Sequence, residues 1–260
     1  MVCRIKRLSH VCGATLMLLL LFQAQGFASG DADIAELLIQ ASHAYKQGSY
    51  AEAVTHYESI VSTGVSNGSL YYNLGNAYMR AGQPGRSLLN YRRAELRIPR
   101  NDDLHANIQY ALTQSRDSIE CRGYGGALQD ICFWYSRMSA TEIIWTAIML
   151  NALFWLLLFA RFFYRREGLS IALGIVLFLT IIFGVSAAVK HYTVVYAPRG
   201  VVVAPEILVR SGTSLNDTVL FKLHEAAELV WEEERDGCVL ISLCDGKKGW
   251  VQAESIAKVE

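Results

Sequence analysis

The 260-residue chain has few of the residues from which active sites are usually built, and it has no net charge. Its 24 basic and 24 acidic residues cancel. No overall field therefore points to nucleic acid or to an acidic substrate, and charge has to be read locally. Six histidines are scattered without an HxxxH pair, and no cysteine spacing matches a zinc pattern. There is no phosphate-cradling glycine motif, no GxSxG, and no Cys/His or Ser/His/Asp order. The expectation is a protein that is not an enzyme, has no cofactor and binds no nucleic acid. What the chain does have is grease: 52% hydrophobic residues and a mean hydropathy of +0.23, high for a soluble protein and unevenly spread.

The first 28 residues carry Arg4, Lys6 and Arg7, an apolar stretch from Val11 to Phe22, and then small residues. This is the build of a secretory signal peptide, with an uncleaved anchor as the alternative. Two further apolar runs, 143–163 and 169–189, are each as long as the roughly 20 residues that cross a bilayer. Ser139-Ala-Thr-Glu142 has the form of a capping box at the start of the first run. Between the runs, the link 164–168 and its flank hold Arg161, Arg165 and Arg166, while the outer flanks carry only Arg137 and Lys190. The positive-inside rule puts the link in the cytoplasm. The leader independently places the segment after residue 28 outside. Both soluble regions are then expected on the periplasmic side of a bacterial cytoplasmic membrane.

Region 29–120 repeats itself. HAYKQGSYAEAVTHYESIV from His43 aligns with NAYMRAGQPGRSLLNYRRAEL from Asn76 at an offset of 34, matching Ala41 with Gly75, Gly48 with Gly82, Ala53 with Ser87 and Tyr57 with Tyr91. A period of 34 in helix-turn-helix units is the tetratricopeptide signature. Tyr71, Leu74, Gly75, Tyr78, Gly82, Tyr91, Ala94 and Pro99 of the second unit resemble that consensus. A third helical pattern, DDLHANIQYALTQS, is read as a cap. The expected domain is an all-α solenoid of two repeats plus a capping helix. Around its second hairpin lie Arg86, Arg92, Arg93 and Arg97, candidates for docking an acidic partner or simply a solvated face.

From residue 198 to 260 the pattern changes to short alternating strands punctuated by Asp236-Gly237 and Asp245-Gly246, which are hairpin signals. A small all-β barrel is expected. VRSGTS, LFKLHEAAELV and GKKGWV resemble a bacterial SH3 domain, although Cys238 stands where that family usually has an aromatic. Trp231, Trp250 and Phe221 are left as contact residues or core. The domain is acidic, with Glu225, Glu228, Glu232, Glu233, Glu234 and Asp236. It is a candidate to face the arginines of the repeat region, within or between molecules, through pairs such as Arg93 with Glu233.

Cys121 and Cys132 bracket a glycine-rich stretch in the juxtamembrane linker 121–142. A structural disulfide is the favoured reading, with free thiols or a reactive redox pair as alternatives. Cys238 and Cys244 would lie roughly 20 Å apart on one extended strand, too far to bridge.

The whole order of signal peptide, tetratricopeptide repeats, two spans with a short basic link, and a C-terminal SH3-like domain resembles the BatE family of the Bacteroides aerotolerance group. The resemblance rests on NLGNAYMRAG, DDLHANIQYAL, the spans, and the VRSGTS and GKKGWV segments. It implies a membrane-bound scaffold acting beside von Willebrand factor A-domain membrane proteins and a MoxR-type ATPase, in stress tolerance or envelope integrity. It carries over no catalytic residue. Two other functions stay open: binding of peptidoglycan stem peptides by the SH3-like domain, and thiol-redox sensing at Cys121 and Cys132.

Overall fold

A computed structural model describes residues 32–117, 133–164, 166–196, 198–214 and 216–260. The chain divides into two compact units, Met1–Val65 and Ser66–Glu260, so the division falls inside the expected repeat region.

In the first unit, α1 (32–46) and α2 (Tyr50–Ser62) form a hairpin. Ala41, Ala44, Ala53, Tyr57 and Ile60 are buried. In the second unit, α3 (Gly68–Arg80), α4 (Pro84–Glu95) and α5 (Asp102–Gln114) follow. Their core is Leu70, Leu74, Tyr78, Leu88, Tyr91, Leu104 and Ile108.

The sequence offset of 34 is repeated in the backbone. Gly48 and Gly82 both take positive φ, +83° and +76°, which only glycine adopts without strain. The hydrogen bonds around them match pair for pair: Gly48 N–H to Tyr45 C=O and Gly82 N–H to Met79 C=O, then Ser49 N–H to Ala44 C=O and Gln83 N–H to Tyr78 C=O. Gly75 is small for a reason, because a Cβ there would lie 2.5 Å from the Tyr91 ring. Helix starts are set by asparagine caps: Asn67 accepts from Ser69 N–H and Asn101 from Leu104 N–H.

After the short α6 (Phe133–Arg137), two long apolar helices run as a hairpin, α7 (Ala140–Phe163) and α8 (Glu167–Tyr196). Both are long and apolar enough to cross a membrane. Most of their described side chains face outward, as in Leu156 and Phe159, both 66% exposed, an apolar surface suited to lipid. Ser139 and Glu142 form the expected capping box at the start of α7.

Among the described residues seven antiparallel strands follow: β1 (Arg199–Val202), β2 (Glu206–Arg210), β3 (Val219–His224), β4 (Glu228–Arg235), β5 (Cys238–Ser242), β6 (Lys248–Gln252) and β7 (Ile256–Lys258), in the order β3-β2-β6-β5-β4-β1-β7. A 3₁₀ turn, Ala253–Ser255, precedes β7. Alternation puts Val209, Leu229, Val239, Ile241 and Val251 into one core. The β4–β5 hairpin turns on Asp236 (φ 53°) and Gly237 (φ 72°), a pair of positive angles that suits the twist of the strands.

Candidate functional site

Of the named arginines, the structure brings Arg92 and Arg93 onto the β-strand domain, and the geometry starts with a glycine. Gly85, in the first turn of α4, approaches so closely that a Cβ would stand 2.4 Å from the Val202 carbonyl oxygen and 2.6 Å from Glu225 Cγ. Its N–H donates to Glu225 Oε1 at 2.9 Å. Two turns further along α4, Arg92 Nε donates to Glu228 Oε1 at 2.6 Å and Nη2 to Glu228 Oε2 at 3.0 Å, a bidentate fork. Its Nη1 donates to Glu95 Oε2 at 2.9 Å. The Arg92 side chain is only 12% exposed and that of Glu228 28%. Burial works against the guanidinium charge, but the hydrogen bond and charge of Glu228, then those of Glu95, outweigh it and hold the Arg92 pKa above the ordinary arginine value.

Arg93 is served less well. Its Nη2 donates to the Lys258 carbonyl at 3.2 Å, while its Nε is buried without a partner. Asn90 spends its amide N–H on the Arg86 carbonyl and leaves Oδ1 buried and unpartnered. A second clasp lies beyond α5. The Asp117 carboxylate accepts the His224 backbone N–H at 2.6 Å and pairs with His224 Nδ1 at 2.8 Å. A third joins the helices to the apolar hairpin: Arg100 pairs with Glu142 in the first turn of α7, where Ile143 is fully buried.

The other nominated residues go elsewhere. Arg86 lies over the Tyr78 ring at 5.8 Å, and Arg97 lies over Tyr71 at 4.8 Å while donating to Ser66. Glu232 pairs with Lys248 at 2.7 Å, Glu233 pairs with Arg235 at 2.6 Å, and Glu234 is exposed. The Arg93–Glu233 contact suggested by charge alone is therefore replaced by Arg92–Glu228. Trp231 is partly buried against the strand core.

Trp250 lines a cavity of about 200 Å³ on the outer side of β2 and β6, with Leu208, Arg210, Thr213, Cys238 and Ser255. The Arg235 guanidinium lies 5.9 Å from the Trp250 ring. Cys238 is a free thiol that donates to the Thr213 carbonyl at 3.5 Å, whereas Cys244 is disulfide-bonded, so these two do not pair with each other. Cys121 and Cys132 lie outside the described residues.

Sequence reasoning held Glu225 and Glu228 only among six acidic candidates and missed Gly85, Asp117 and His224 as members of the junction. The available signal was Gly85 itself. Glycine is a poor helix former, so its presence in the first turn of α4 points to a close approach. No protein-family model and no curated protein matches the chain.

Proposed function

We propose that the protein is a non-enzymatic, membrane-anchored scaffold, BatE-like in organisation. In this reading tetratricopeptide repeats and an SH3-like domain stand on the periplasmic side of the cytoplasmic membrane and bind partner proteins. The observation that carries it is the junction: buried bidentate pairing and a glycine-sized contact fix the strand domain to α4, while Arg100 and Glu142 fix α5's neighbourhood to the membrane hairpin. Such ties hold the helices and the strand domain in a defined arrangement when the junction is closed, which suits assembly better than turnover. The resemblance names von Willebrand factor A-domain membrane proteins as partners and a MoxR-type ATPase as an indirect one.

In-cell photo-crosslinking from Tyr110, a side chain 57% exposed on α5, tests this. Crosslinks to membrane proteins with von Willebrand factor A domains are expected. Absence of any protein adduct from this site and from Asn73, a partly exposed residue of α3, would count against the reading. Protease accessibility of residues 198–260 from the cytoplasmic side would overturn the orientation.

A second reading is favoured by the Trp250 cavity: the strand domain binds peptidoglycan stem peptides, with the ring of Trp250 and the guanidinium of Arg210 as contacts. Retention of the full chain on purified cell wall, lost in Trp250→Ala, supports it. Equal retention of the variant removes it. Thiol-redox sensing at Cys121 and Cys132 is tested by alkylation trapping, and permanent full oxidation of both excludes it.

A further inference from the structure

We propose that the Arg92–Arg93 face of α4 is a receptor for acidic polypeptide segments, and that the protein's own strand domain fills it as an exchangeable ligand. The inference deepens the scaffold reading by naming the chemistry of a partner and how access to it is controlled.

The fit in cis is good at one arginine and poor at the next. Arg92 meets three carboxylate oxygens, from Glu228 and Glu95. Arg93 lies over the Tyr71 ring at 5.9 Å and donates to one main-chain carbonyl at 3.2 Å, and its Nε, though buried, donates to nothing. The Lys258 carbonyl takes only Nη2 and leaves Nε unmet, whereas a carboxylate can take both edge donors of a guanidinium with two parallel bonds. A segment that keeps a glutamate at Arg92 and adds a second carboxylate at Arg93 makes bonds that the strand domain leaves unmade. On the other side of the contact, the turn that carries Glu225 holds Ala226 at φ 65°, a strained conformation for a residue with a Cβ. Charge and hydrogen-bond capacity thus define the occupant: an extended, glutamate-bearing stretch of another protein.

The test uses the full chain in nanodiscs and a fluorescein-labelled peptide copying residues 219–235, VLFKLHEAAELVWEEER, which carries both docking glutamates. The double variant Glu225→Gln/Glu228→Lys weakens cis docking while leaving α4 untouched. It is expected to bind the peptide at least ten-fold more tightly than the unmodified chain. Glu228→Gln, a neutral isostere that spares the fold, should give a smaller gain of about three-fold. Adding Arg92→Ala/Arg93→Ala should abolish binding in both backgrounds. Equal affinity in the presence and absence of the cis glutamates, including no binding by either, overturns the proposal, as does binding that survives loss of both arginines. Because no native partner enters the assay, a negative result here leaves the photo-crosslinking test of the scaffold reading intact.

Discussion

Helices α2 and α4 occupy equivalent places in two hairpins with the same turn, yet one face is exposed and the other covered. At the offset of 34, Ala51, Thr55 and Glu58 on α2 are exposed; their counterparts Gly85 and Leu89 are buried, and Arg92 is nearly so. The backbone is held in common, so the difference lies in three side chains. Removal of one methyl at Gly85 admits a carbonyl, Leu89 supplies apolar surface, and replacement of Glu58 by an arginine turns repulsion of Glu228 into a fork. A repeat unit supplies the scaffold, and the choice of what covers it is made by residues that the repeat leaves free.

That contrast can be broken in steps. The largest effect is expected from Gly85→Val, since a side chain cannot share space with the Val202 carbonyl. The strand domain should leave α4, seen as a large rise in hydrogen exchange over 222–230. Ala51→Val, at the exposed counterpart, should change stability by no more than about 0.5 kcal/mol. Next comes Arg92→Ala, which strands Glu228 and Glu95 in a largely buried site and should cost about 3 kcal/mol in denaturant unfolding. Glu58→Ala should again be near neutral. Ser87→Ala makes the second hairpin match Ala53 of the first and removes the bond from Ser87 Oγ to the Gly75 carbonyl at 2.8 Å; the expected loss is about 1 kcal/mol.

The smallest effect is a titration. The Lys248 hydrogen bond, then that of Ser242, holds Glu232 below the ordinary glutamate value. Its contribution is fully present above the unfolded-state value and is lost as pH falls through the depressed folded one. Glu232→Gln should flatten the acid side of the strand domain's thermal stability profile and leave neutral pH almost unchanged. An unaltered acid limb would show that the pair contributes nothing.

Much of the fold could be read from residue patterns because local chemistry decides it. The capping box at Ser139, the glycine turns at Gly48 and Gly82, and the Asp236-Gly237 hairpin each need only neighbours in sequence, and each is present. Alternation along β5 correctly separates Val239 and Ile241 from Cys238 and Ser242. The site was legible only as a meeting of arginines with acids. Six acidic residues lie between 225 and 236, and nothing local tells which of them reaches α4. The run Glu232–Glu234 is denser in charge, but it sits toward the β4–β5 turn and is answered there by Lys248 and Arg235. Glu225 and Glu228 win by position, at the β3–β4 turn that the path of the chain brings against Gly85 and Arg92.

Only two residues, 197 and 198, separate the last residue of α8 from the first of β1. Such a tether spans roughly 10 Å at most and keeps the strand domain beside the end of α8, while Arg100–Glu142 ties the α4–α5 helices to the start of the same hairpin, so a strand domain that lets go of α4 stays close to it. Its effective concentration at the vacated face is on the order of a millimolar. A separate protein present at about a micromolar level therefore needs roughly a thousand-fold better intrinsic affinity, about 4 kcal/mol, to hold half the sites. The short leash thus sets a threshold: weak acidic segments are turned away, and only a well-matched one, or one brought close by its own membrane anchor, displaces the resident domain.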